Sequence, residues 1–246
     1  MRRPSSPYTS SYSFGPGPLS TAMKALMAAN VAMFLAQTLP GVTETFGLAP
    51  ELTIGGLRLW QPLTYMFLHG GLLHLLFNML ALWMFGTELE RIWGTRYFLK
   101  YYLVTGVGAG VLTVVFSLLP FGFAEQVYRS LIVGASGAVY GLLLAYALYF
   151  PDRPIYMYLV FPIPAKYFVM IIGAIAFYSS LGVSSGVASA THLGGLVVGY
   201  AYLKSARIHP LEELKYRYLK WRINRVRRKF DVYSGGRADD RNHKVH

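Results

Sequence analysis

Six long apolar runs joined by short polar connections leave this chain few folds to choose from. They cover about Ser20–Leu39, Leu72–Trp93, Tyr97–Leu119, Ser136–Phe150, Lys166–Leu181 and Ala190–Leu203. Stretches of roughly 17–25 apolar residues are long enough to cross a bilayer as helices. Inside lipid each backbone N–H and C=O must be satisfied within the segment, which a helix does. Composition points the same way. The chain is 54% hydrophobic and 14% charged, whereas a soluble domain carries about 25% charged residues. All four aspartates (Asp152, Asp231, Asp239, Asp240) fall outside the runs. The reading is an all-α polytopic membrane protein, a bundle of six transmembrane helices.

Orientation follows from lysine and arginine, which accumulate on the cytoplasmic side. Three connections, 41–71, 120–135 and 182–189, would face away from the termini, and they carry only Arg58 and Arg129 of the 23 basic residues. Both termini are therefore expected in the cytoplasm, with the protein in the cell membrane. Residues 1–19, rich in Ser, Pro and Gly, lack the apolar core of a cleaved signal peptide and read as a flexible leader. Residues 20–206 form the membrane domain and 207–246 a basic tail. The stretch "LEELKYRYLKWRINRVRRKF" interleaves aromatic and basic residues, as an interfacial helix held by anionic lipid would. Thirteen of the 23 basic residues lie from Lys204 onward. The positive-inside bias thus accounts for most of the charge, and nucleic acid is not an expected partner. With no cysteine, neither disulfides nor thiolate metal sites arise.

Polar side chains within such runs are costly and mark functional or structural polar sites. They are few: His74 and Asn78 in the second run, Ser136 at the head of the fourth, His192 at the head of the sixth, and His69 just before the second. All lie toward the same, non-cytoplasmic end. His74 and Asn78, four residues apart, share a helix face, as do Ser136 and Tyr140. Gly137 and Gly141 form a G-x-x-x-G pair beside Ser136, and His192, Gly195 and Gly199 make a second stripe. Small-residue stripes let helix backbones approach closely in membranes, which would bring Ser136 to His192. A serine needs a base within hydrogen-bond reach to act as a nucleophile. The unpaired N–H groups of a helix start favour a developing oxyanion, with His74 and Asn78 as further donors. No acid is at hand to orient His192, so the pattern is a dyad, with Tyr140 available to pack on the imidazole.

These residues resemble those of the rhomboid family of intramembrane serine proteases, over about Leu19–Ser205. "GASGAVYG" is similar to the family's G-x-S-G motif, with Gly134 and Gly137 flanking the nucleophile position Ser136. "THLGGLVVGY" matches the segment of the general base, at His192. "HGGLLHLLFNM" resembles the segment that lines the oxyanion site, through His74 and Asn78. The resemblance implies a partly embedded loop, L1, at about 41–71, with Trp60 as its tryptophan, and a turn "ELERIWG" buttressing that loop through Glu90. Where the family often has arginine after that tryptophan, Gln61 stands here, which should alter how L1 is anchored. Six spans and a short leader resemble the compact prokaryotic form.

The resemblance implies cleavage of transmembrane segments of other membrane proteins by a Ser136–His192 dyad, without cofactor or metal. A metalloprotease is excluded because there is no H-E-x-x-H. An aspartyl intramembrane protease is excluded because no aspartate lies in a run. A transporter would show inverted repeats with matching broken helices, and none is present. The competing reading is a non-proteolytic rhomboid-like protein that binds transmembrane clients; the presence of both Ser136 and His192 argues against it. The prolines of "YLVFPIPAKY" predict an irregular lead-in to the fifth run.

Overall fold

The computed structural model describes residues 16–120, 122–157, 161–180 and 186–207. The chain divides into two units, 1–203 and 204–246. Most of the leader and nearly all of the basic tail, with its expected interfacial helix, lie outside the described residues.

Helix α1 (Thr21–Ala36) starts at Ser20, whose hydroxyl accepts the Met23 N–H, and stops at Gln37 before the Pro40–Gly41 break. Three short helices follow, α2 (Val42–Phe46), α3 (Pro50–Gly55) and α4 (Gln61–Thr64). The second run is one helical stretch, Leu72–Trp93. It consists of α5 (Leu72–Ala81), a π-turn over Leu82–Gly86, and α6 (Thr87–Trp93). Gly94 ends it at φ +75° and ψ 156°, a positive-φ conformation open mainly to glycine. Next come α7 (Thr95–Ser117), α8 (Gly122–Tyr128) and α9 (Ser136–Tyr149). Last are α10 (Ala165–Ser180) and α11 (Gly186–Arg207).

The fold is all-α, as expected, with one addition. The proline-rich lead-in to α10 is an antiparallel hairpin, β1 (Pro154–Met157) against β2 (Phe161–Pro164). Proline disfavours helix interiors but is tolerated on edge strands, and both strands of a two-stranded hairpin are edges.

Each of the six apolar runs contains a helix. Two of them, Leu72–Trp93 and Thr95–Ser117, are long and apolar enough to cross a bilayer. At about 1.5 Å per residue they rise roughly 33–35 Å, against a hydrocarbon core of ~30 Å. Helices α1, α9 and α10 are apolar but shorter, at 16, 14 and 16 residues.

Helix α7 is the one around which α4, α6, α8 and α9 pack. Its glycines set the approach. A Cβ on Gly110 would stand 2.9 Å from the Tyr65 ring, and one on Gly108 would stand 2.7 Å from Val198. The helix's own Phe98, Tyr101 and Tyr102 are fully buried, and so is Tyr65, which packs against it. Tyr65 donates its hydroxyl to the Gly106 carbonyl at 2.8 Å, and Tyr101 donates to that of Gly141 at 2.7 Å. Gly137 lies against Ala109, eight residues short of the end of α7 at Ser117. The start of α9 is thus about 12 Å below that end.

Candidate active site

Helix α9 begins at Ser136 because the chain before it is held extended and then turned. Leu48 and Ile132 form an antiparallel bridge with hydrogen bonds of 2.9 and 2.8 Å. The Gly134 N–H donates to the Tyr65 carbonyl at 2.9 Å. Gly134 itself has a φ of +129°, where a side chain would be strained. A Cβ there would also stand 2.7 Å from His74 Cε1. The first helical hydrogen bond runs from the Val139 N–H to the Ala135 carbonyl at 3.0 Å. The N–H groups of Ser136, Gly137 and Ala138 thus precede the intrahelical ladder.

His192 reaches this helix start from α11. Its Nε2 is 2.8 Å from Ser136 Oγ. The approach depends on glycine. A Cβ on Gly195 would collide with the Gly137 carbonyl oxygen, and one on Gly199 would come 3.2 Å from Gly141 Cα. Beside His192, Thr191 is hydrogen-bonded at 3.0 Å to Thr113, which donates to the Ala109 carbonyl at 2.8 Å. That pair fastens α11 to α7. Tyr140, one turn along α9 from Ser136, lies parallel to the His192 imidazole, with ring centroids 4.2 Å apart and an interplanar angle of 6°.

On α5, His74 faces the same gap. The point where a Cβ of Gly134 would stand is 2.9 Å from His74 Nε2 and 3.6 Å from Ser136 Oγ. The other ring nitrogen, Nδ1, accepts the Gly70 N–H at 3.2 Å. Asn78, buried one turn further on, donates from Nδ2 to the His74 carbonyl at 2.9 Å. One of its two N–H groups is thereby committed to its own helix, leaving the second. His69 is fully buried, its ring edge-on to His74 at 5.2 Å.

Ser136, His192, Tyr140, His74, Gly134, Gly137 and Gly195 thus come together, with His69 and Asn78 behind His74 and Gly199 one turn along the helix seam. Trp60 and Glu90 lie apart. Trp60 is half exposed and ties α4 to α2 through its Nε1–H and the Thr45 carbonyl, 2.9 Å away. Glu90 corrects the expectation that it buttresses 41–71. Its carboxylate accepts the Ser20 hydroxyl at 2.8 Å and the Thr95 hydroxyl at 2.7 Å, and neither residue belongs to that segment. The reason is distance along the helix. From Gly71 to Glu90 the second run rises on the order of 28 Å, so Glu90 joins the starts of α1 and α7 at the far end.

Gln61, in contrast, is an anchor of the 41–71 segment. Fully buried, its Oε1 accepts the Ala49 N–H (3.2 Å) and the Thr53 hydroxyl (2.8 Å), and its Nε2 donates to the Thr45 carbonyl (3.4 Å). Sequence reasoning missed Gln37, Tyr65, Thr113 and Thr191. A polar residue at a helix end and single residues with one hydroxyl read as ordinary capping and packing, and no spacing singles them out.

A rhomboid-domain family model matches residues 56–206. Among characterised proteins, the chain is similar to "Rhomboid protease GluP" of Bacillus subtilis, 35% identical over 161 residues, 64% of this chain and 29% of that protein. It is also similar to "Rhomboid protease AarA" of Providencia stuartii, 32% identical over 57% of this chain and 53% of that protein. "RHOMBOID-like protein 2" of Arabidopsis thaliana is 28% identical over 71% of this chain and 50% of that protein. The matched stretch spans from under a third to about half the length of these relatives.

Proposed function

The chain belongs to the rhomboid family, and from that premise we propose that it is an intramembrane serine endopeptidase acting on transmembrane segments of other membrane proteins. It is an integral membrane protein, as members of the family are. Its relatives include named proteases, which supports hydrolysis of peptide bonds in the membrane. The observation that carries the reading is the 2.8 Å separation of His192 Nε2 and Ser136 Oγ, short enough for proton transfer as an attack proceeds.

In this mechanism the Ser136 hydroxyl donates to His192 Nε2 and attacks the scissile carbonyl of an unwound substrate segment. The imidazolium then returns the proton to the leaving amine. N–H groups at the start of α9 receive the oxyanion with His74 Nε2–H and the second N–H of Asn78. Water hydrolyses the acyl-enzyme with His192 again as base. Tyr140, stacked on the imidazole, supplies the orientation that an acid gives in a triad. Ser136, His74, Tyr140 and His192 are all half-buried, so water and substrate have access.

The sparse basic residues of 41–71, 120–135 and 182–189 support a cell-membrane protein with both termini, the leader 1–19 and the tail 207–246, in the cytoplasm around the 20–206 domain. Anionic lipid at the tail completes that picture.

The test is cleavage of a model single-span substrate by purified protein in liposomes, comparing wild type with Ser136→Ala and His192→Ala. Cleavage within the span, lost in both folded variants, is the expected result. Cleavage that persists in Ser136→Ala would remove the serine from this role. No cleavage of several unrelated spans would favour client binding without proteolysis.

A further inference from the structure

We propose that Gln37, outside every motif noted in the sequence, is a positioning residue that sets the protonation pattern of His74, a role that rests on the proteolytic reading above. Gln37 follows α1, and its carboxamide engages one residue twice. Its Nε2 donates to the His69 carbonyl, and its Oε1 accepts the His69 N–H at 2.9 Å. Asparagine and glutamine are the only uncharged side chains that offer a donor and an acceptor side by side. The side chain pairs with His69 as a neighbouring strand would.

The consequence lies in one peptide plane. The His69 carbonyl and the Gly70 N–H belong to the same planar trans unit, so they point to opposite sides of the chain. Fixing the carbonyl toward Gln37 aims the Gly70 N–H away from it, and that N–H donates to His74 Nδ1 at 3.2 Å. Accepting a hydrogen bond there requires Nδ1 to be unprotonated, so the neutral imidazole carries its proton on Nε2. Nε2 is the atom facing the gap between Gly134 and Ser136. The chain of contacts from Gln37 through the 69–70 peptide thus presents an N–H donor where an oxyanion would form. If Nδ1 carried the proton, His74 would turn a lone pair toward a developing negative charge.

Geometry also excludes a simple substitute. In Gln37→Glu the new carboxylate could accept the His69 N–H, but its other oxygen would be set against the His69 carbonyl. That variant is nearly isosteric and serves as the main one, with Gln37→Ala as the second.

Two measurements on the whole 246-residue chain decide the matter. The first is steady-state cleavage of the single-span substrate by wild type, Gln37→Glu, Gln37→Ala, His74→Ala and the Gln37→Ala/His74→Ala double variant. Expected is about a tenfold fall in kcat with KM within twofold, less than the ~100- to 1000-fold cost of losing an oxyanion donor outright. Once His74 is gone, the Gln37 change should cost nothing more. A loss that multiplies with that of His74→Ala, or a KM effect alone, would overturn the role. The second is nitrogen NMR of 15N-histidine-labelled protein in micelles, with the His74 signals identified by their loss in His74→Ala. Wild type should show Nε2 protonated and Nδ1 bare, and Gln37→Glu a mixture of tautomers. An unchanged wild-type pattern in Gln37→Glu would sink the proposal. This readout needs no activity. If wild type cleaves nothing, the proteolytic reading fails and Gln37 loses its catalytic meaning, while the NMR comparison still decides whether it sets the tautomer.

Discussion

Gly195 and Gly137 meet backbone to backbone: a methyl group on Gly195 would occupy the space of the Gly137 carbonyl oxygen. Backbone cannot yield as a flexible side chain does, so alanine there must push α11 away from α9. His192 lies one turn before Gly195 and Ser136 next to Gly137, so this displacement acts directly on the 2.8 Å contact. We predict that Gly195→Ala lowers cleavage at least about 100-fold while costing roughly 1–3 kcal/mol of stability, the usual range for overpacking. Gly199→Ala, whose methyl would meet the Tyr101 hydroxyl at 2.6 Å and Gly141 Cα at 3.2 Å, should cost similar stability but less activity. Thermal unfolding in detergent and initial cleavage rates measure both. Equal activity losses at the two sites would argue against a local effect on the dyad.

Tyr140 contacts His192 through its ring face, so the ring is what matters. Aromatic pairs are worth about 0.5–1.5 kcal/mol beyond area burial, roughly two- to tenfold in rate. Tyr140→Phe is expected to stay within about threefold of wild-type kcat. Tyr140→Ala should fall by about tenfold, with KM little changed. A large loss in the phenylalanine variant would instead assign a role to the hydroxyl.

The elements of this fold were legible where one physical rule acts along the chain. Apolar run length marked the helices, and the glycine stripes marked the seam that brings Ser136 and His192 together. Four-residue spacing placed His74 with Asn78 and Ser136 with Tyr140. What stayed hidden depends on where backbone groups end up after folding. Gln37 matters because of the His69 peptide, and Tyr65 because it joins the carbonyl of Gly106 to the N–H of Gly134. Neither partnership has a spacing signature. Glu90 was misplaced for a related reason: a motif names a residue's company in sequence, whereas a helix of this length carries it to the opposite end of the bundle.

Gln61 bonds three neighbours: the Ala49 N–H, the Thr53 hydroxyl and the Thr45 carbonyl. Leucine would strand the Ala49 N–H, at about 1–3 kcal/mol, whereas the Thr53 hydroxyl can still donate to the Ala49 carbonyl and the Thr45 carbonyl keeps the Trp60 Nε1–H. Gln61→Leu is expected to destabilise by on the order of 2 kcal/mol. Gln61→Arg, the residue that the family resemblance leads one to expect here, should do no better. It has no acceptor for the Ala49 N–H, and none of the three groups is a carboxylate to balance its charge. Because these bonds lie within the 41–71 segment, kcat measured well below the melting temperature should change less than about threefold. Unfolding temperatures and low-temperature rates separate the two effects.

Glu90 provides the opposite control, a buried carboxylate remote from the candidate site. Its two oxygens take one hydroxyl each, from Thr95 and from Ser20, and Ser20 also caps α1. Hydrogen bonds to a charged group contribute about 1.5–3 kcal/mol, so Glu90→Leu should lower stability by roughly 2–4 kcal/mol and loosen the start of α1. Glu90→Gln should cost less than about 1 kcal/mol. Its carbonyl still accepts one hydroxyl, and its amide can donate to the other once that hydroxyl turns its lone pair inward. Since Glu90 joins the helix ends farthest from Ser136, both variants should cleave at near wild-type kcat at temperatures where they remain folded. A fall in kcat without a fall in melting temperature would mean that Glu90 reaches the 41–71 segment after all.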